Sequence, residues 1–206
     1  MPVLGITGGI ASGKSSFTKR IAPLLRGRVF DADREARRLL ENDSDVRAAL
    51  LQTFGPRVLQ AGETGDAPAT VDRAWLRETV FGDREARRKL EGILHPAIRK
   101  VWMGEARKAR EEREWLVLDI PLLYETGAEG ECDRVAVVAC RTETQRQRII
   151  SERGLTAAMA DRMLAAQQPL EEKIKRAPHV IWSEGAFEIL EHQAALFAAY
   201  LQERYG

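Results

Sequence analysis

The sequence predicts an α/β fold in which a mostly parallel five-stranded sheet is flanked by helices and interrupted by an inserted helical domain. Short, uninterrupted apolar segments alternate with segments of helical periodicity, which is typical of parallel strands covered on both faces. A glycine-rich segment follows the first apolar run and precedes the first helical segment. Residues 59–114 contain no convincing strand, so they are the natural candidate for the insertion.

Each predicted element follows from local periodicity and from the residues that bound it. The five strands are predicted at residues 2–7, 28–30, 115–119, 135–140 and 180–182. The helices are predicted at residues 14–25, 36–40, 46–54, 73–81, 83–93, 97–114, 144–153, 157–167, 170–176 and 187–204. His95-Pro96 is expected to interrupt the helical pattern, Asp72 to cap a helix, and the glycine-rich stretch 61–70 to form a loop.

Composition limits the classes of function. The chain has 206 residues, with 32 Lys and Arg against 31 Asp and Glu, and this balance argues against a general nucleic-acid binder. Two cysteines are too few for a disulfide framework, which favours a reducing, cytoplasmic environment. No apolar run approaches the ~20 residues of a membrane span, and the N-terminus does not read as a signal peptide. We therefore expect a cytoplasmic protein that binds neither nucleic acid nor membrane.

The most specific motif runs from Gly8 to Ser15 and matches G-x-x-x-x-G-K-[ST]. In such a loop, backbone N–H groups and the first helical turn bind phosphate oxygens. Lys14 would contact the β- and γ-phosphates, and the Ser15 hydroxyl would ligate Mg²⁺. The predicted nucleotide-binding residues are Gly9, Ile10, Ala11, Ser12, Gly13, Lys14, Ser15 and Ser16. The alternative is a purely structural glycine-rich turn. Because the chain has no N-K-x-D motif, adenine is the expected base.

Two carboxylates follow predicted strands, where a parallel sheet faces its ligand. Asp33 is interpreted as closing the second strand, and it could accept a proton from an attacking hydroxyl. Asp119 ends the third strand at the position where a carboxylate holds Mg²⁺ directly or through water. The alternatives are capping or surface roles for Asp31 and Asp33, and a structural role for Asp119.

Other residue types carry weaker signals. His95, before Pro96, is on spacing alone more typical of a cap or a packing residue than of a catalyst. The four tryptophans are expected in the core, and Cys132 and Cys140 are too few for a metal site. Arginines of the helices after residue 140 could neutralise a transferred phosphoryl group, although interleaved acidic residues also suit solvated helix faces.

With these motifs in place, the sequence resembles the dephospho-CoA kinase family almost from end to end. The resemblance rests on the Gly5–Ser15 segment, Asp31-Ala32-Asp33, Ile93-Leu94-His95-Pro96 and Asp119-Ile120-Pro121-Leu122-Leu123-Tyr124-Glu125, in this order. It also includes Gln145 with Arg148, and Arg162 with Gln167.

The resemblance implies a P-loop kinase that transfers the ATP γ-phosphoryl group to the ribose 3′-hydroxyl of dephospho-CoA. It implies Asp33, Lys14 and Arg148 as catalytic residues, Ser15 and Asp119 as Mg²⁺ ligands, and His95, Asp33 and Leu122 on the acceptor side. It also implies a core of residues 1–58 and 115–206 with a lid near 144–176, and a CoA-side insertion of residues 59–114. A monomer or a weak homo-oligomer is expected.

Four positions depart from the family pattern: Ala11, Glu152, Pro178 and Ser183. Ala11 replaces a common glycine, and at positive φ an alanine would cost about 1 kcal/mol. Two other functions are compatible with the motifs. One is another P-loop nucleoside or nucleotide kinase, and the other is a non-catalytic ATP-binding regulator.

Overall fold

The computed structural model describes residues 2–60 and 70–205. The predicted loop at 61–70 therefore lies, apart from Thr70, outside the described residues. None of the described helices is long and apolar enough to cross a membrane.

The described residues form a five-stranded parallel sheet, which confirms the predicted fold class. Its strands are β1 (Val3–Gly8), β2 (Arg28–Asp31), β5 (Leu116–Asp119), β6 (Arg134–Ala139) and β7 (His179–Trp182). They are ordered β2-β5-β1-β6-β7, and every neighbouring pair is parallel. The carboxyl ends of all five strands consequently meet at one edge of the sheet, which is where ligands bind in open α/β sheets.

The described helices fall close to their predicted positions. They are α1 (Lys14–Leu24), α2 (Ala32–Asn42), α3 (Ser44–Phe54), α4 (Arg73–Gly82), α5 (Arg84–Glu112), α6 (Thr142–Arg153), α7 (Ala157–Ala165), α8 (Leu170–Arg176) and α9 (Phe187–Tyr205). Asp72 caps α4 as predicted, because its carboxylate accepts a hydrogen bond of 2.9 Å from the Trp75 N–H.

The chain divides into two compact units. The first comprises Met1–Asp31 and Glu105–Gly206 and contains the parallel sheet, and the second comprises Ala32–Gly104. The second unit thus begins before residue 59, where the insertion was predicted to start. The physical reason is that α2 and α3 bury Leu39, Val46 and Leu50 in the same apolar cluster as α4 and α5.

The core of the first unit lies where α1 and α9 cover one face of the sheet. Phe17 and Ile21 of α1 pack with Phe197 and Leu201 of α9, all fully or almost fully buried. From the sheet they meet apolar side chains of four strands, including Leu4, Ile6, Val117, Ala136, Val138 and Ile181. This packing fixes the start of α1, and therefore the loop before it, against the end of β1.

The prediction that residues 59–114 contain no strand is wrong. Two short segments, β3 (Leu59–Gln60) and β4 (Thr70–Val71), pair in antiparallel fashion. Each has only two residues, too few for a periodicity to be visible in the sequence. Val71 is nevertheless buried in the apolar cluster of the second unit, so the pairing is held by packing.

The prediction that His95-Pro96 interrupts the helix is also wrong. α5 continues through Pro96 from Arg84 to Glu112. A proline in a helix interior removes one hydrogen bond and crowds the preceding turn. Here Ile93 and Leu94 before it, and Ala97 and Ile98 after it, pack in the same apolar cluster. Because residues on both sides of the proline pack against one core, this packing maintains the helix against the local penalty.

Candidate active site

The glycine-rich loop connects β1 to α1, as its position in the sequence predicts. Gly13 lies at the N-cap of α1 with φ = 90°, a conformation that side chains rarely adopt. A Cβ atom on Gly13 would lie 2.2 Å from Ser183 Oγ, so a side chain here would be strained by the backbone geometry and would also require Ser183 to move. The loop therefore lies close to Ser183, the residue that follows β7, and glycine at position 13 makes this approach possible.

The first turn of α1 has the properties of an anion site. Gly13 offers no side chain to cap the helix, and the first turn contains no acidic residue. The N–H groups of a first turn lack partners within their helix, and they lie at the positive end of the helix dipole. Lys14 and the exposed Ser15 begin this helix, and Ser16 follows with its carbonyl accepting from Arg20 at 2.7 Å. Ser12 Oγ is buried and has no hydrogen-bond partner within the described part of the chain.

Two glutamines hold the Ile10 peptide group of the loop. Gln145 Nε2 of α6 donates to the Ile10 carbonyl at 2.6 Å, and the Ile10 N–H donates to Gln167 Oε1 at 2.8 Å. A side chain on Gly9 would displace Gln145 from this position, because a Cβ there would lie 2.3 Å from the Gln145 Nε2 atom. The loop is thus held from outside by residues far away in the sequence.

Arg148 of α6 connects the loop to the residue that follows β7, because it donates to backbone carbonyls of both. One guanidinium nitrogen lies 3.2 Å from the Ala11 carbonyl, and the other lies 2.7 Å from the Ser183 carbonyl. The Cys140 thiol also points to the Ala11 carbonyl, at 3.9 Å. Burial raises the pKa of Cys140 to about 11, so this thiol is neutral at physiological pH. Ala11 itself has φ = 54°.

Asp119 lies at the carboxyl end of β5 and is 5% exposed. Its Oδ1 atom forms an ion pair with Lys14, and its Oδ2 atom accepts a hydrogen bond of 3.0 Å from Thr18. The sheet register aligns Asp119 with Asp31 at the end of β2. The structure thus pairs the lysine of the loop with Asp119, the carboxylate that the sequence predicted as a Mg²⁺ ligand.

Asp33 and His95 belong to the second unit. The prediction that Asp33 closes the second strand is wrong, because β2 ends at Asp31 and the chain turns directly into α2. Asp33 is exposed in the first turn of that helix, where a carboxylate is favoured by the helix dipole. His95 is half-buried within α5. Their roles stay predictions.

The comparisons with known proteins point to one family. The family model for dephospho-CoA kinase matches residues 2–188. A dephospho-CoA kinase from Anaeromyxobacter dehalogenans is 42% identical over 210 residues, which covers 100% of this chain and 95% of the relative. The chain belongs to the dephospho-CoA kinase family.

Two solved structures are similar to this chain over nearly its whole length. The TT1252 protein from Thermus thermophilus is 34% identical with a TM-score of 0.74, and the match covers 100% of this chain and 98% of that one. A dephospho-CoA kinase from Campylobacter jejuni is 26% identical with a TM-score of 0.62, over 98% of this chain and 96% of that one. The predicted resemblance to the dephospho-CoA kinase family is confirmed.

Sequence reasoning missed two residues of this dephospho-CoA kinase family site. Thr18 donates to Asp119, and its position four residues after Lys14, on the same helix face, could have indicated it. Ser183 was noted only as a departure from the family pattern, yet it is buried beside Gly13. Its carbonyl accepts from Arg148, a contact between distant residues that no local motif reveals.

Proposed function

We propose that this protein transfers the γ-phosphoryl group of ATP to the ribose 3′-hydroxyl of dephospho-CoA, giving CoA and ADP. The observation that carries the proposal is the pairing of Lys14 with Asp119 beneath a glycine-rich loop, in a member of the dephospho-CoA kinase family. The loop supplies phosphate-binding N–H groups, and the two side chains supply a cation and a carboxylate next to them.

The loop residues Gly9–Ser16 would bind the ATP phosphates. Lys14 would move its charge from the Asp119 carboxylate to the β- and γ-phosphates, because both anions compete for the same ammonium group. Arg148 would contribute through its hold on the Ala11 carbonyl and through its charge beside the loop. These residues position the γ-phosphoryl group and neutralise charge that develops during transfer.

Ser15 and Asp119 are the residues that would hold Mg²⁺. A hydroxyl and a carboxylate are oxygen ligands of the kind that Mg²⁺ prefers, and one or two of them suffice when phosphates complete the coordination. The donor set therefore fits the ion. When bound, Mg²⁺ would neutralise phosphate charge.

Asp33, His95 and Leu122 would form the acceptor side. The 3′-oxygen forms a bond to the γ-phosphorus while the bond from that phosphorus to the bridging oxygen of ADP breaks. The hydroxyl proton passes to the Asp33 carboxylate, which acts as general base. His95 and Leu122 would contact the acceptor and orient its hydroxyl.

The deciding experiment incubates the purified protein with Mg²⁺, ATP and dephospho-CoA and detects CoA by mass spectrometry. We expect product that requires both substrates and disappears in Lys14→Ala, because the variant lacks the charge that holds the phosphates. Lys19→Ala is the matched control, since Lys19 is an exposed lysine of the same helix. Turnover of a nucleoside with none of dephospho-CoA would contradict the proposal, and so would tight ATP binding without acceptor-dependent ADP release.

A cytoplasmic location and a monomeric or weakly associated state belong to the same proposal. Cys132 and Cys140 are both free thiols, which suits a reducing compartment. Size-exclusion chromatography with light scattering measures the association state directly, and a stable oligomer at low protein concentration would contradict that part.

A further inference from the structure

Lys173 of α8 is a fully buried cation with no part in the proposed mechanism. Its side chain is 0% exposed, although lysine is among the residues that are almost never fully buried unless they are paired. Removing an ammonium group from water is costly, so a buried lysine requires hydrogen-bond partners. The partners of Lys173 therefore identify the segment that this lysine holds in place.

Both partners of Lys173 lie in the turn that follows Asp119. The ammonium group donates to the Pro121 carbonyl at 2.9 Å and forms an ion pair of 2.8 Å with Glu125 Oε1. Pro121 and Glu125 stand on either side of Leu122, which is predicted to contact the acceptor. One cation therefore connects the two ends of a short segment.

Two further hydrogen bonds attach the start of the same turn to the sheet. The Thr7 hydroxyl, at the end of β1, donates to the Pro121 carbonyl at 3.0 Å. The Ile120 N–H donates to the Ile6 carbonyl at 3.0 Å. The start of the turn near Asp119 is thus held by β1 as well as by Lys173. Glu125, at the far end, is held by its ion pair with Lys173.

The glycine-rich loop is held by different residues. Gln145 and Gln167 bind the Ile10 peptide group, and Arg148 binds the Ala11 carbonyl. Lys173 makes its contacts with the turn and not with this loop. Removing the Lys173 charge should accordingly disturb the turn while leaving the phosphate-binding loop in place.

We infer that Lys173 is a positioning residue for the transfer reaction: by binding Pro121 and Glu125 it holds the 121–125 turn so that Leu122 meets the acceptor. This inference rests on the proposed function. It assigns to α8 a role in acceptor binding that is separate from ATP binding.

The experiment measures KM for dephospho-CoA, KM for ATP and kcat in Lys173→Met, Glu125→Gln and the double variant. We expect KM for dephospho-CoA to rise about tenfold in Lys173→Met, as for loss of a charge-assisted hydrogen bond. KM for ATP should stay within about twofold of wild type. Glu125→Gln should also raise the KM for dephospho-CoA. The double variant should have a KM no higher than that of Lys173→Met, because both substitutions break the same ion pair.

Lys175→Met is the matched control. Lys175 lies on the same helix, but its side chain is 71% exposed and paired with Glu172. Its substitution should leave all three kinetic parameters unchanged. If Lys173→Met does not fold, Glu125→Gln provides the comparison.

Two results would overturn the inference. One is a folded Lys173→Met protein with a lower melting temperature and an unchanged KM for dephospho-CoA, because the lysine would then serve stability alone. The other is an equal rise in both KM values. Failure of the proposed function is distinguishable, since it appears as a wild-type protein that does not phosphorylate dephospho-CoA at all.

Discussion

Ala11 occupies a backbone conformation that favours glycine. Its φ of 54° places the Cβ atom close to the following carbonyl oxygen, at a cost of about 1 kcal/mol. Its carbonyl accepts hydrogen bonds from Arg148 and from the Cys140 thiol, so the strained residue is held by its surroundings. The condition under which the sequence analysis expected this cost, a positive φ at Ala11, is therefore met.

Ala11→Gly should therefore stabilise the protein slightly, by up to about 0.6 kcal/mol, because relief of about 1 kcal/mol of strain exceeds the roughly 0.4–1 kcal/mol that glycine adds to the freedom of the unfolded chain. Urea denaturation followed by circular dichroism measures the change. Ala195→Gly is the control, since Ala195 is exposed within α9 and glycine weakens a helix interior. The two substitutions should have opposite signs, and destabilisation by both would contradict the strain argument.

Asp33→Asn tests the proposed general base. The amide cannot accept the hydroxyl proton as a carboxylate does, so kcat should fall by about 10²–10⁴. The ATP dissociation constant, measured by titration calorimetry, should change little. Asp45→Asn is the matched control, because Asp45 is an exposed aspartate in the first turn of the neighbouring helix α3. Weakened ATP binding with unchanged kcat would make Asp33 a positioning residue for nucleotide and not the base.

At the scale of elements, β7 and α9 share an aromatic contact that includes a histidine. The His179 ring lies 4.9 Å from the Phe197 ring and 5.3 Å from the Tyr200 ring, measured between centroids. Burial, with a smaller contribution from the Arg134 charge, lowers the pKa of His179 below its ordinary 6.5. The folded protein therefore binds this proton less readily than the unfolded chain does.

This difference in pKa makes stability depend on pH. Well above pH 6.5 the histidine is neutral in both states and has no effect on stability. As the pH falls below that value, the unfolded chain takes up the proton first, and the free energy of unfolding decreases. His179→Phe should remove this decrease, which denaturation curves between about pH 7 and pH 5 would measure. His192→Gln, at an exposed position on α9, should retain it.

Helix α5 shows where a prediction from neighbouring residues was wrong, since the helix continues through Pro96. Pro96 is a helix breaker by its own chemistry, and a sequence window around it predicts two helices. The apolar residues on both sides of the proline keep the helix continuous, because they pack in one cluster with Leu50 and Leu76. Such a cluster depends on contacts between distant segments, so no local pattern contains it.

At the scale of the whole molecule, each unit has its own apolar core. Leu50, on α3, is 0% exposed within the core of the second unit, whereas its neighbour Leu51 is 40% exposed. These two adjacent leucines lie on one helix and differ in burial, so the same substitution at each position compares a buried with an exposed site.

Leu50→Ala should lower the free energy of unfolding by about 2–5 kcal/mol, since it removes buried methyl groups and leaves a cavity. Leu51→Ala should cost far less. Chemical denaturation of the two variants gives the comparison. ATP binding by folded Leu50→Ala should match wild type, because the glycine-rich loop lies in the first unit. Equal destabilisation by both substitutions would contradict the assigned core.

The sequence by itself determined the α/β class, the order of most helices and strands, the phosphate-binding loop and the family. These depend on residues close together in the chain, whose periodicity and spacing are visible without a structure. The tertiary structure alone decided the strand order, the division into units and the partners of Arg148. It also decided the burial of Lys173, which binds a carbonyl 52 positions away, and the Gln167 contact with Ile10, 157 positions away. Such contacts form only when distant segments pack, because burial and hydrogen-bond geometry are properties of the folded chain.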